Sequence, residues 1–467
     1  MITKTNFITY MFDAPLHMWA EKHAKIEIAP SAYDLHLMEQ GKAIEKLANE
    51  FLRGCLTTST YELMPQKTFT DGDFQARVDV LALDTGNQVY DIYEIKSSTS
   101  IRKDYIYDVA FQRVVCEATI PVRSAYLVLL NKEYVRSGEI DLNQLFIIEN
   151  LTEESAKVRD EVAVAREDAR LVATKATPTG IANCLKPDRC PCPSLCHPEL
   201  PEYPIYNIPR LNQKKARGLI GRAVFRIKDI PNDFPLSDRQ TLHMLAVKQG
   251  KPLIDIAAIK DELDRLQYPL YFLDYETYNP AVPLFDGYKP YQPIVFQYSL
   301  HVIAEPGSVP EHFECLITEQ GDPGNKVVQH LIQHMGRSGS VVVWNKTFEA
   351  GRNKEMAQMY PEYGDFLLGV NDRMYDLMDP FSKGYYVHPD FRGSASIKNV
   401  LPVLVDDGAL NYDDLPISRG DDAMLAWADI MTGRIPGEKI SETRENLLRY
   451  CELDTLAMVR IWEVLSA

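Results

Sequence analysis

The sequence predicts a two-domain α/β protein, and three observations carry that expectation. Short runs of β-branched and aromatic residues alternate with stretches of helical periodicity. A chain of 467 residues is longer than one hydrophobic core ordinarily organises. A stretch rich in Cys and Pro, residues 184–209, cannot hold regular structure and marks a boundary.

Apolar spacing of three and four predicts a helix over 36–53. Strands follow over 76–83 and 89–95, joined through Asp84-Thr-Gly-Asn, then a helix over 103–118 and a strand over 124–130. The charged run 153–175 reads as an exposed helix. Residues 210–267 have a helical pattern and form a connector. From Tyr268 a second α/β domain begins, with strands over 269–275, 293–303, 311–317 and 340–344, and helices over 324–335, 348–359, 396–404 and 441–465. The expected domains are 1–200, 201–267 and 268–467.

Apolar residues make up 45% and charged residues 25%, ordinary for a soluble globular chain. No apolar run is long enough to span a bilayer, and Met-Ile-Thr-Lys-Thr-Asn-Phe lacks the core of a signal peptide. The expected setting is the cytoplasm, with no membrane partner. Fifty Lys plus Arg against 66 Asp plus Glu leave a formal charge of −16, which argues against a sequence-independent coat for nucleic acid. Any nucleic-acid path needs a local basic strip. Arg210 to Lys228 holds seven basic and no acidic residues, so Lys214, Lys215 and Arg217 are candidate phosphate contacts; the plainer reading is a solvated helical face.

Two acidic constellations point to metal-assisted phosphodiester chemistry. Asp274 and Glu276 alternate on a predicted strand and share one face. Glu349 follows a Val-Val-Val strand at the turn into a helix. Tyr450 and Asp454, at i and i+4, share a helical face. Such carboxylates suit Mg²⁺ or Mn²⁺, and a pair of ions activates water and stabilises the leaving oxygen. Tyr450 is a candidate to bond the attacking water. This set resembles the DEDD exonucleases, the proofreading-type superfamily with a ribonuclease H-like fold, over about residues 268–467. Asp274 and Glu276 fall on the first motif, Asn345, Phe348 and Glu349 on the second, and Tyr450 with Asp454 on the third in its tyrosine form. Glu349 departs from the usual Asp. Gly393-Ser-Ala-Ser-Ile-Lys398 resembles the loop before a helix in such domains, which implies a phosphate contact for Lys398.

In the N-terminal half, Asp79 closes Ala-Arg-Val-Asp, and Glu94 and Lys96 share a strand face in Tyr-Glu-Ile-Lys. Lys96 is suited to stabilise charge on phosphate. The set resembles the PD-(D/E)xK nucleases of the RecB-like branch over about residues 1–200, which implies a restriction-endonuclease-like mixed sheet with flanking helices. Gly41 with Glu45 matches the helical motif that supplies a further metal ligand, and Gln112 matches the glutamine of the last motif. The companion aromatic is missing, with Cys116 near its place.

Of eight cysteines, Cys184, Cys190, Cys192 and Cys196 crowd into thirteen residues and read as a metal or cluster site; Cys55, Cys116, Cys315 and Cys451 read as packing. Thiolates suit a [4Fe–4S] cluster or, alternatively, Zn²⁺, and the RecB-like resemblance favours the cluster. That family uses one cysteine before its nuclease core; Ala14 stands there, so all four ligands are expected to be local, with His197 solvent-facing. Aromatics from Tyr275 to Tyr298 offer stacking surface, with core packing as the plainer reading. The whole chain resembles a bacterial family joining a RecB-like nuclease, a cysteine cluster and a DEDD exonuclease-like domain. The resemblance implies a metal-dependent nuclease acting from the 3′ end of single-stranded DNA, with a second DNA-cutting site and a setting in repair or defence against foreign DNA. A ribonuclease, or an iron–sulfur scaffold that binds nucleic acid without turnover, are the alternatives.

Overall fold

A computed structural model of the chain describes residues 1–56, 60–405 and 410–467. The protein is mixed α/β and divides into two compact units: residues 1–199 with 280–292, and residues 200–279 with 293–467. No helix among the described residues is long and apolar enough to cross a membrane.

The first unit is built on a six-stranded sheet. Its strands are β1 (Ile2–Thr3), β2 (Tyr61–Asp71), β3 (Phe74–Asp84), β4 (Val89–Ile95), β5 (Val122–Leu130) and β6 (Phe146–Asn150). β2, β3 and β4 run antiparallel in sequence, β4 and β5 are parallel, and β1 lies parallel to the start of β3. The β4–β5 crossover is the helix Lys103–Glu117, whose Val109, Ala110, Phe111 and Val115 are buried. A parallel pair needs such a crossover to reverse the chain. The helix Ala32–Leu56 covers the other sheet face through Ile44, Ala48 and Leu52. β2 was not foreseen: its alternation is interrupted by Pro65 and a left-handed Gln66. The charged run forms two helices, Thr152–Lys157 and Arg159–Thr174. It is not merely a solvated face, because Val162, Ala165 and Ala169 pack into the core. Residues 280–292 belong to this unit: Arg136 donates to the Pro283 and Leu284 carbonyls at 3.0 and 2.6 Å, and Tyr291 bonds Ser97.

The second unit carries a five-stranded sheet of β8 (Leu270–Tyr278), β9 (Ile294–Ile303), β10 (Glu311–Leu316), β11 (Ser340–Val343) and β12 (Met374–Asp376), in the order β10-β9-β8-β11-β12. A two-stranded sheet joins β7 (Leu253–Ile254) to β13 (Tyr386–Val387). β8 is antiparallel to β9 and parallel to β11. Both faces of β8 are covered, which explains its near-continuous apolar run. Tyr271, Leu273 and Tyr275 face a core built with Val327, Leu331, Met356 and Leu367. Phe272 and Asp274 take the opposite face, against Trp462 and Cys451 of the long helix Ile440–Ser466. Most of the aromatics from Tyr275 to Tyr298 are thus packing residues: Tyr275, Tyr278, Tyr288, Phe296 and Tyr298 are all buried. The connector forms short helices at Gln213–Ile220, Asp238–Gln249 and Ile256–Leu263, the first two capped by Asn212 and Ser237. Helical turns at Pro187–Arg189, Pro193–Cys196 and Ile205–Asn207 punctuate the stretch expected to be irregular.

Gly393 starts the loop that leads to the helix Ile397–Leu404. Its φ is +76°, and a Cβ there would lie 1.8 Å from the Asn207 carbonyl oxygen. Backbone strain and a clash with a main-chain atom combine, so Gly393→Ala is expected to lower stability by about 2 kcal/mol or more in urea unfolding. Gly351→Ala, in a helix with nothing within 4 Å of the added carbon, is the control and gains up to about 1 kcal/mol.

Candidate active site

In the second unit the carboxylates converge where β8 meets the long helix and the start of the helix Lys346–Met359. A cavity of about 250 Å³ is lined by Asp274, Glu276, Trp344, Phe348, Lys398, Tyr450 and Asp454. Asp274, Glu276 and Cys451 each present an atom within 4.8 Å of the others. Glu349 is 1% exposed, and its Oε2 has no hydrogen-bond partner among the described residues. Local structure aims it: Asn345 takes a left-handed φ of +86° at the helix start, and Asp376 accepts from the Asn345 and Lys346 amides at 3.1 and 2.9 Å. Asp376 and its bracing of this turn were not foreseen.

Burial, and then the charge of Asp454, holds the Asp274 carboxyl well above its usual range. Burial followed by Asp274 and Asp454 does the same for Glu276, and burial with Asp274 for Glu349. Burial lifts Asp454 to about 6, against hydrogen bonds from Tyr412 and Tyr450 that favour its anion. The Tyr412 hydroxyl donates to Asp454 Oδ1 at 2.5 Å. The single lysine lining the cavity, Lys398, donates to the Ser418 carbonyl at 2.6 Å and lies over the rings of Tyr412 and Tyr450. Sequence reasoning missed Tyr412, which no motif marks, and counted Cys451 among the packing cysteines. The Cys451 thiol is 3.7 Å from Asp274 Oδ2, a consequence of its place between Tyr450 and Asp454 on the helix.

Three buried acids and the half-buried Asp274, with one lysine, suit a hard cation, because oxygen donors that repel one another are stabilised by positive charge between them. The unpartnered Glu349 oxygen and the raised carboxyls fit that donor set.

Residues 271–396 match the family model described as Domain of unknown function (DUF2779). The match takes in Asp274, Glu276 and Glu349 and ends short of Lys398, Tyr450 and Asp454. Uncharacterized protein UU173 of Ureaplasma parvum serovar 3 is 29% identical over 223 residues, 44% of this chain and 32% of that protein. Uncharacterized protein MG366 of Mycoplasma genitalium is 26% identical over 220 residues, 43% of this chain and 32% of that protein. The chain thus spans about a third of the length of these relatives. The crystal structure of SSO0001 aligns with 43% of this chain and 87% of its own at 15% identity, with a TM-score of 0.24, too slight a likeness to bear on the fold.

In the first unit Asp79, Glu94, Lys96 and Gln112 also come together, but two lysines share the site. Lys96 donates to Glu94 at 2.8 Å and to Asp108 at 2.5 Å. Lys4, which no motif marked, donates to both Glu94 oxygens at 2.8 Å and to Asp79 at 3.4 Å. Gln112 bonds Glu94 and Asp108 at 2.8 and 3.0 Å, and Asp79 also accepts from the Ile95 amide. Although burial opposes its ionisation, Lys96 and Lys4 hold Glu94 below the usual carboxylate range. Burial and the Glu94 charge push Asp79 up to about 7. The Glu45 carboxylate accepts from Gln66 of β2.

The basic strip is largely exposed: Lys214 and Arg217 face solvent, while Lys215 is half-buried and donates to Gln240 at 3.3 Å. The cysteine cluster needs correction. Cys184, Cys190 and Cys196 gather around His17, not around a purely local set, and these four donor atoms lie within 4.8 Å of one another. Cys192 is buried beside Cys196, 3.8 Å sulfur to sulfur, without belonging to that foursome. His197 is not simply solvent-facing; its Nε2 is 3.2 Å from Cys184.

Two measurements follow from these electrostatics. Asp454 titrates near its ordinary 3.8 in the unfolded chain and near 6 in the fold, so the folded protein binds more protons in between. Its contribution to stability is full below the lower value and is lost as pH rises through the upper one. With divalent metal withheld, thermal stability is expected to fall across that window, and Asp454→Asn to flatten the fall. Lys4→Met leaves Glu94 and Asp79 with one cation fewer and is expected to cost about 3 kcal/mol in denaturant unfolding.

Proposed function

We propose that the protein is a divalent-metal-dependent nuclease whose second unit hydrolyses phosphodiester bonds, removing nucleotides from the 3′ end of single-stranded DNA. The observation that carries this reading is the cavity lined by Asp274, Glu276 and Asp454, with Glu349 buried close enough to feel the Asp274 charge and one of its oxygens left without a partner among the described residues. The order of the five strands, with the first acidic pair on central β8, supports the ribonuclease H-like resemblance. Mg²⁺ or Mn²⁺ bound by these carboxylates supplies Lewis-acid stabilisation of phosphoryl charge and a more acidic water.

The chain's own residues do the rest. The Tyr450 hydroxyl, beside Lys398 at 3.4 Å, is positioned to orient the attacking water. Lys398 neutralises charge developing on the phosphate. Trp344, fixed by its bond to the Ala395 carbonyl at 3.1 Å, and Phe348 give the cavity an aromatic wall on which an unpaired base stacks. Lys214, Lys215 and Arg217 offer backbone phosphates a local attraction that the overall negative charge does not. DNA repair, or defence against foreign DNA, is the setting the family resemblance suggests.

For the first unit the resemblance suggests a second cutting site at Asp79, Glu94 and Lys96. A second reading is favoured by Lys4: with its ammonium against both carboxylates, this unit binds nucleic acid and leaves hydrolysis to the other.

The test uses DNA and RNA strands labelled at either end, with Mg²⁺ or Mn²⁺. Asp274→Ala and Asp454→Asn are each expected to slow 3′ shortening of single-stranded DNA on the order of a hundredfold or more, and Tyr450→Phe roughly a hundredfold. Unchanged rates in Asp274→Ala would overturn the assignment. Faster shortening of RNA would make the protein a ribonuclease. Asp79→Ala separates the two readings of the first unit: residual internal cleavage that it abolishes makes that unit a nuclease, and weaker binding with unchanged cleavage makes it a binding unit.

A further inference from the structure

The cysteine clasp does not fit the cluster that the family resemblance implies. We propose that His17, Cys184, Cys190 and Cys196 form a site for a single zinc ion, with Cys192 outside the coordination set and Asp13 orienting the histidine. This site is independent of the nuclease reading and would stand if that reading failed.

Spacing carries the first part of the inference. A tetrahedral ion with Zn–S bonds of about 2.3 Å places neighbouring sulfurs about 3.8 Å apart. The four donors lie within 4.8 Å of one another, and all four residues are buried. In a cubane cluster each thiolate binds a different iron at a corner of a body that also holds sulfides. Its ligands must stand farther apart than these do.

Donor chemistry carries the second part. Three thiolates and one imidazole are a familiar set for structural zinc, a borderline-soft ion that takes both. The His17 Nε2 lies 3.3 Å from the Cys190 sulfur, and its Nδ1 bonds the Asp13 carboxylate. A carboxylate on the far nitrogen fixes the tautomer and ring direction, as in carboxylate–histidine–zinc triads. Cys192 is adjacent in sequence and its sulfur lies 3.8 Å from that of Cys196, but it is not one of the four donors that all lie within 4.8 Å of one another.

The surroundings are built to hold this arrangement. The Leu16 amide donates to the Ala182 carbonyl at 3.0 Å, and the Trp19 indole to the Lys175 carbonyl at 2.9 Å. Asn183 donates to the Cys196 carbonyl at 2.7 Å. Ala14, Leu16, Trp19 and Ala20 sheathe the thiols in apolar surface. Zinc here staples the helix Pro15–Lys22, just beyond the helix that carries Lys4, to a loop some 170 residues later (His17 to Cys190 are 173 apart).

The experiment measures metals in the purified 467-residue chain by mass spectrometry, with zinc-edge X-ray absorption. The expected result is one zinc per chain in a shell of three sulfurs and one nitrogen, without iron or acid-labile sulfide. His17→Ala and Cys190→Ser are expected to lower zinc affinity at least tenfold, and Asp13→Asn about tenfold, while Cys192→Ser retains the metal. His17→Cys guards against simple misfolding: it should hold zinc in a shell of four sulfurs. Iron with sulfide, failure of the metal-free protein to take up zinc, or loss of metal in Cys192→Ser with retention in His17→Ala would each overturn the proposal.

Discussion

Desolvation of like charge is the constraint on which the second unit turns. Asp274 and Glu276 share a strand face, Asp454 meets them from the long helix, and Glu349 arrives from the turn after β11. Each is buried or half-buried; Asp454 raises the proton affinity of Asp274 and Glu276, and Asp274 raises that of Glu276 and Glu349. A protein does not bring such groups together for stability, since an uncompensated buried carboxylate costs far more than a neutral side chain of the same size. The fold tolerates the arrangement because the sheet core on the opposite face of β8 is densely packed and because Asp376 braces the turn that aims Glu349.

The first unit handles the same difficulty differently. Glu94 is as deeply buried as Glu349, but it accepts from Lys4, Lys96 and Gln112. Its charge is compensated within the chain, so its carboxyl stays below the ordinary range where Glu349 goes above it. Two sites with similar acids therefore differ in what they demand: one is satisfied by lysine, and the other has a deficit of positive charge. That contrast is why the functional reading rests on the second unit. Lys4 reaches its partners from a short helix at the start of the chain, next to the helix that bears His17, so the N-terminal segment shapes both the acidic site and the thiol cluster of its unit.

Much of the fold was legible because its signals are local. Short runs of β-branched and aromatic residues marked β8 and β9, and the three-and-four spacing of Leu447, Tyr450, Cys451, Asp454 and Met458 marked the long helix and the face it buries. The same spacings put Asp274 beside Glu276 and Tyr450 beside Asp454. β2 escaped notice because Pro65 and Gln66 break its pattern, and the helix Arg159–Thr174 looked solvated because of its dense charge, though Val162, Ala165 and Ala169 pack.

The amino-acid order alone determined the element types, the pairing of acids along β8 and the long helix, and the concentration of thiols near residue 190, since each depends on backbone period or on residues close in the chain. Only the tertiary structure decided that Lys4 neutralises Glu94, that Tyr412 and Cys451 join the acidic pocket, and that His17 displaces Cys192 from the foursome. Those choices are made between residues far apart in the chain, where no local spacing constrains the distance. They follow from which surfaces the packed core brings into contact.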